Sequence, residues 1–250
     1  MNSINNNFYS GTSGLVLPIP QSQYPPSFQG KSRLTYFASL FNSVEINSSF
    51  YKPPKASTIT KWAESVPGNF RFTFKLSKAI THAKALDFNA DDVECFMQTI
   101  DFVGKKKGCL LIQFPPALKI EKFDQLQNLL SIIKHANSNA SWKVAIEFRN
   151  TSWYNKEVYH LLDQYNASLV IHDIPASATP QTAPATGFKY LRFHGPLARY
   201  RGSYDDTFLL QYGQYIKAWL SEGKTVYAYF NNTMGDAVKN LQALNSFVQQ

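Results

Sequence analysis

The chain has 250 residues, 44% of them hydrophobic and only 17% charged, which excludes a disordered or coiled-coil polypeptide and leaves enough apolar surface for one large core. Lysine and arginine number 25 against 17 aspartates and glutamates, so a net charge of +8 biases the surface toward anions such as phosphorylated metabolites, nucleic acid or acidic lipid. Two cysteines, Cys95 and Cys109, form neither a disulfide framework nor a zinc set, and no apolar run approaches the ~18 residues that span a bilayer. Residues 1–7 lack the basic start and apolar stretch of an export signal, and Pro18 breaks the short run from Leu15 to Ile19, so a cytoplasmic protein with no membrane partner is expected.

Short runs rich in β-branched and aromatic residues, ending at Gly, Pro, Asn or Ser, mark eight strands. The first begins near residue 8 and runs into Gly11-Thr12-Ser13-Gly14, whose backbone donors match no known phosphate loop closely. The second begins near residue 43 and places Glu45 and Asn47 on one face, with Phe50 and Tyr51 following; Ser57 is then read as the cap of a helix through Trp62. The third, from about residue 70, puts Thr73 and Lys75 on one face and leads to a loop carrying His82. Asp91 and Asp92 suit the start of a helix whose apolar face is Phe96, Ile100 and Val103, and Lys105 to Lys107 read as its solvated end.

The fourth strand, near residue 109, carries Gln113, and the helix after it shows Leu126, Leu129, Leu130 and Ile133 on one side. The fifth, near 143, alternates Glu147 and Arg149 with Ile146 and Phe148 before Trp153. The sixth, near 168, closes on Asp173, and its parity turns His172 toward a helix. Only about twenty residues separate it from the next strand, and Pro175, Pro180, Pro184 and Gly187 among them argue against a regular helix. The seventh strand, near 188, carries Arg192 and His194; a loop with Arg199, Tyr200, Arg201 and Tyr204 follows, readable as an anion clamp or as a solvated cover. The eighth, near 225, carries Tyr229 and Asn231.

Eight strands at this spacing, with helical segments between most of them and no flexible linker, predict a single-domain (β/α)8 TIM-barrel-like α/β fold over residues 1–250, with a sixth unit lacking a regular helix. The runner-up, an open doubly wound sheet, lacks its Gly-x-Gly-x-x-Gly signature. In a barrel the apolar parity meets the helices, so the polar parity points into the lumen and its last members stand at the C-terminal mouth. Burying Glu45, Glu147, Asp173, Lys75, Arg149 and Arg192 unpaired would cost several kcal/mol each, so they either neutralise one another in a register-fixing network or serve a site. Glu45 and Glu147 are the candidate acid–base pair, with His194 a further catalytic candidate, or the oxygens of a divalent metal site completed by Asp173 or His194, although no His-x-His or His-Glu-x-x-His spacing supports a metal; whether a metal or cofactor is bound is left open by the sequence. Lys75 is a candidate Schiff-base nucleophile, with an ion pair to Glu45 the simpler account. Asn47, Tyr51, His82, Gln113, Arg149, Trp153, Asp173, Arg192, Arg199, Arg201, Tyr229 and Asn231 are candidate binding residues.

Seven segments together resemble the YecE-like family, the domain of unknown function numbered seventy-two: Tyr9-Ser10-Gly11-Thr12-Ser13-Gly14, residues 41–51, Ala79-Ile80-Thr81-His82, Gln113-Phe114-Pro115-Pro116, Glu147-Phe148-Arg149-Asn150-Thr151-Ser152-Trp153, Arg192-Phe193-His194-Gly195 and Tyr229-Phe230-Asn231-Asn232. The resemblance spans nearly the whole chain and implies a TIM-barrel-like fold without a firm activity. Leu15 stands where the family usually has an aromatic residue and Asn150 where it usually has histidine, so Asn150 is given no catalytic role.

The function expected is an enzyme acting on an anionic or phosphorylated small molecule by carboxylate acid–base chemistry at the barrel mouth. The alternative is a nucleic-acid-binding or processing protein with a basic, aromatic-rich mouth, although no recognition-helix or zinc-finger signature is present. A binding protein without turnover would differ from the first only in lacking catalysis.

Overall fold

Strand and helix alternate along the computed structural model, which describes residues 7–180, 187–197 and 200–250. The order is β1 (Phe8–Thr12), α1 (Arg33–Leu40), β2 (Ser43–Ile46), α2 (Ser48–Tyr51), α3 (Ala56–Glu64), β3 (Arg71–Lys75), α4 (Lys78–Thr81), α5 (Ala90–Ile100), β4 (Lys107–Gln113), α6 (Phe123–Ala136), β5 (Lys143–Glu147), α7 (Lys156–Gln164), β6 (Ala167–His172), β7 (Phe188–Phe193), α8 (Asp206–Ser221), β8 (Thr225–Phe230) and α9 (Ala237–Gln249). All strand pairings are parallel, in the order β1-β8-β7-β6-β5-β4-β3-β2, and β1 and β2 approach each other to make a nearly closed eight-stranded barrel. The predicted fold is therefore the observed one.

At the β1–β2 seam the ladder is replaced by single contacts. Ser13 bridges to Glu45, the Gly14 N–H donates to the Glu45 carbonyl at 2.7 Å, and the Asn42 side chain bonds both the Ser10 N–H and the Phe8 carbonyl. Gly11 is required here, because a Cβ on it would stand 1.9 Å from the Ser43 carbonyl oxygen.

The strands are sorted by parity. Val44, Phe72, Phe74, Leu110, Ile146 and Leu191 face outward and pack with the helices into the main core. Cys109, Leu111, Ala145, Val170, Tyr190 and Tyr229 face inward and fill the lower lumen. The helices present the expected stripes: Leu126, Leu129, Leu130 and Ile133 are buried on α6, and Val93, Phe96, Met97 and Ile100 on α5. Asn89 caps α5 through the Asp91 N–H, with Asp91 and Asp92 in its first turn.

Three local expectations are corrected. Ser57 does not cap α3, which begins at Ala56 after Lys55. Lys106 is not a solvated cation: its ammonium donates to the Ala63 carbonyl and, at 2.6 Å, to the Val66 carbonyl, closing the C-terminal end of α3, while Lys107 pairs with Asp101 at 2.8 Å. His172 belongs to the inward row, because it pairs in register with Arg192 as Val170 does with Tyr190. Counting parity from Asp173 failed because β6 ends at His172 and Asp173 lies beyond the pleat.

No helix occurs between β6 and β7 among the described residues, as expected; Pro184 lies outside them. The segment after β6 folds back on the strand instead, with the Thr179 hydroxyl donating to the Val170 carbonyl at 2.7 Å and accepting from the His172 N–H at 3.2 Å. Among the described residues no helix is long and apolar enough to cross a membrane.

Candidate active site at the barrel mouth

The lumen changes from apolar to ionic at its upper layer. Below it, the Tyr229 hydroxyl bonds Ser43 at 2.6 Å and Thr73 at 2.8 Å, fully buried among inward side chains. Above it, Arg192 lies between two carboxylates that have no exposed surface. Its Nη2 and Nε donate to Glu45 at 2.7 and 3.0 Å, and its Nη1 donates to Glu147 Oε2 at 2.6 Å. Glu45 also accepts from the Ser13 hydroxyl and, at 2.6 Å, from the Tyr190 hydroxyl, so both of its oxygens are engaged twice. The second oxygen of Glu147 accepts from Arg149 Nε. Burial is the largest single influence and would raise both carboxyl pKa values, but it is outweighed at Glu45 by the Arg192 charge together with the hydrogen bonds from Arg192, Ser13 and Tyr190, and at Glu147 by the summed charges of Arg192, Arg149 and the two nearby histidines. Glu45 is held below the ordinary carboxylate range and Glu147 well below it.

His194 stands above this layer and its tautomer follows from its neighbours. Nδ1 faces Asp173 Oδ1 at 3.3 Å and donates, which leaves Nε2 to accept from Arg149 Nη2 at 3.1 Å and Arg192 Nη1 at 3.3 Å. Burial lowers the His194 pKa, and the neighbouring guanidinium charges lower it further against Glu147 and Asp173. Asp173 is fixed by the His194 N–H at 2.8 Å and by the Tyr204 hydroxyl, which itself accepts from the Gly195 N–H at 2.5 Å. Gly195 has φ of +100° and no room for a Cβ beside the Arg201 carbonyl.

Lys75 is the cation at this level without a carboxylate partner among the described residues. Its Nζ donates to Gln113 Oε1 at 2.9 Å and lies 4.1 Å from the centroid of Phe50. Gln113 Nε2 donates to the Phe114 carbonyl, which fixes the amide oxygen toward the lysine. Burial, reinforced by the charge of Arg192, brings the Lys75 pKa down to about 8. His82 shares the Phe50 ring at 5.0 Å, and burial followed by the charges of Lys75 and Arg149 lowers its pKa. Asn47 has a buried Oδ1 with no hydrogen-bond partner.

The residues brought together are thus Glu45, Glu147, Arg192, Arg149, His194 and Asp173 in one network, with Lys75, Gln113 and His82 beside it. Several expectations are corrected. Lys75 pairs with an amide rather than with Glu45. Trp153 does not rim the pocket: it is buried on the helix side, stacked on Phe148 at 4.9 Å with its indole N–H on the Leu118 carbonyl. Tyr229 lies beneath the ionic layer rather than at a ligand surface. Tyr51 is 70% exposed and Arg201 is exposed; neither joins the network, and Tyr204 turns inward instead of offering a stacking face. Asn231 is half-buried and its peptide N–H bonds the Phe193 carbonyl. Arg199 lies outside the described residues. Asn150 caps the turn at Ser152 and donates to the Pro116 carbonyl, a structural part.

Ser13 and Tyr190 hold Glu45 and escaped notice in the sequence. Tyr190 stands two residues before Arg192 on the same face, so parity could have found it; nothing local marks Ser13. Among the described residues no set of three metal-ligating groups converges, and a guanidinium already lies between the two glutamates where a divalent ion would be held.

Comparisons with known proteins bear on the family and the fold. A family model described as "Protein of unknown function DUF72" matches residues 9–250. The UPF0759 protein YunF of Bacillus subtilis (strain 168) is 26% identical over 250 aligned residues, covering 88% of this chain and 87% of that protein. The UPF0759 protein YecE of Escherichia coli (strain K12) is 25% identical over 143 residues, covering 57% of this chain and 51% of that protein. The crystal structure of a DUF72 family protein from Enterococcus faecalis V583 matches with a TM-score of 0.77 at 24% identity, covering 97% of this chain and 98% of the other, a likeness of fold.

Proposed function

The chain belongs to the DUF72 family of proteins of unknown function, and from the site it builds on its barrel we propose that it is an enzyme of acid–base type acting on a small anionic molecule at the C-terminal mouth. The observation that carries this reading is the division of labour among the charged groups. Arg192 bridges Glu45 and Glu147 while Arg149 Nε takes the second oxygen of Glu147, so the groups left to meet a ligand are donors: the remaining guanidinium N–H groups of Arg149, the Lys75 ammonium and His82. Donors of this kind recognise a carboxylate or phosphate, and a half-desolvated mouth strengthens each contact.

The acid–base role shifts accordingly from the carboxylates to Lys75. Glu45 and Glu147 are ionised, buried and hydrogen-bonded at every carboxylate oxygen, so neither has a proton to give near neutrality, and their lowered pKa values make both poor proton acceptors. Lys75, with a pKa of about 8, exchanges its proton within reach of physiological pH. His194 serves as a positioning residue, since its Nε2 lone pair fixes Arg149.

Calorimetric titration with oxalate and with inorganic phosphate tests the anion site. Arg149→Gln should weaken whichever anion binds by about tenfold to a hundredfold, the worth of one charged hydrogen bond, while its far-UV spectrum stays native. Binding by the variant equal to the original protein, or no binding of either anion by the original, counts against the reading.

A further inference from the structure

We propose that Lys75 is a covalent nucleophile that forms a Schiff base with a small carbonyl compound carrying a carboxylate, in the manner of an α-keto acid, its carboxylate held by Arg149; this rests on the anion site proposed above. A lysine does this when three conditions meet: its amine is free of a carboxylate, it is partly withdrawn from water, and a cation nearby both opposes its protonation and binds the acid group of the partner.

Each condition is present in the geometry. The two carboxylates on neighbouring inward positions, Glu45 and Glu147, are committed to Arg192 and Arg149, so Nζ has been left to a neutral amide, Gln113 Oε1, at 2.9 Å. That amide takes one N–H and leaves the rest of the nitrogen open. The Phe50 face at 4.1 Å covers one side of the ammonium with hydrocarbon rather than water, and the side chain is half-buried. Arg149 and Arg192 supply the opposing charge, which with burial sets the lysine apart from the chain's surface lysines. An amine engaged by a carboxylate would stay protonated; one engaged by an amide does not have to.

The reaction balances without a further reagent. The neutral Nζ lone pair attacks the carbonyl carbon and forms a C–N bond, and the carbonyl oxygen takes up a proton to give a carbinolamine. The proton on that oxygen comes from the attacking nitrogen; one further proton from the site lets the hydroxyl leave as water as the C–O bond breaks, and the nitrogen, keeping its other hydrogen, becomes the protonated imine. His82, beside the same Phe50 ring and with its pKa lowered by partial burial and then by the charges of Lys75, Arg149 and Lys78, is placed to relay the proton.

The test is reductive trapping of the full-length protein with pyruvate and borohydride at pH 7, read by mass spectrometry of peptides. Lys75 should gain the mass of one carboxyethyl group in about tenfold excess over any other lysine, because an amine with a lowered pKa is unprotonated far more often. Lys75→Arg should lose the adduct. Arg149→Gln should reduce capture of pyruvate several-fold more than capture of acetone, which has no acid group for Arg149 to hold and reports only the change in the amine itself; an equal reduction of both would overturn the role of Arg149 as the carboxylate holder. Calorimetry on the same samples separates the two readings. Pyruvate that binds in an Arg149-dependent way yet leaves Lys75 unlabelled overturns the Schiff base and spares the anion site; neither binding nor labelling overturns both. Labelling spread evenly over the lysines also overturns the nucleophile.

Discussion

Single residues at the mouth owe their charge state to neighbours more than to their own chemistry. His172 is the clearest case: its Nε2–H donates to the Phe148 carbonyl at 3.0 Å and its Nδ1 accepts from the Ile174 N–H, so both ring nitrogens are used by the neutral form. Burial then brings its pKa down to about 4 from an ordinary 6.5. The folded value lies below the unfolded one, so the unfolded chain takes the proton first as the pH falls. Stability contributed above the unfolded value is therefore lost progressively toward the folded one. Between pH 7 and pH 5 this residue should cost about 2 kcal/mol of stability. Urea denaturation at the two pH values measures it, and His172→Gln, which removes the titrating ring, should lose that much less; equal losses in both proteins would refute the assignment.

Among the elements, the sixth unit shows how a barrel strand is finished where the described residues that follow it carry no helix. Thr179 does the work of a neighbouring segment, giving its hydroxyl to Val170 and receiving the His172 N–H, while its own N–H bonds the His172 carbonyl at 3.2 Å. Thr179→Val keeps the shape and removes both side-chain bonds, leaving buried backbone groups unpaired. The expected loss is about 1–3 kcal/mol, seen as a lower urea midpoint with an unchanged slope. No change in midpoint would mean that other groups satisfy the strand end. The proline content of this stretch made the lack of a helix among its described residues legible from the sequence, because proline removes donors and fixes φ. The same local rules could not show that Lys106 would close α3, since its two carbonyl partners lie 43 and 40 residues earlier in the chain.

For the whole molecule, closure of the barrel rests on the β1–β2 seam, where Gly11 gives the Ser43 carbonyl room and Ser13 reaches Glu45. Gly11→Ala should force the two strands apart and carry Glu45 away from Arg192. Its cost is set by overpacking, about 1–3 kcal/mol, together with weakening of the buried ion pair. A denaturation midpoint equal to that of the unaltered chain would show that the seam yields without loss. The sequence by itself determined the eight strands, the inward and outward faces of all but the sixth, most of the helix stripes and the irregular sixth unit, because periodicity and turn chemistry act over a few residues. It also supplied the members of the polar row. Only the tertiary structure decided their partners: Arg192 meets Glu45 across 147 residues and Glu147 across 45, Lys75 is left to Gln113, and Trp153 and Tyr229 fall outside the site. Which cation answers which carboxylate depends on strand register and stagger around a closed barrel, and those are fixed by the assembled sheet rather than by any short stretch of chain.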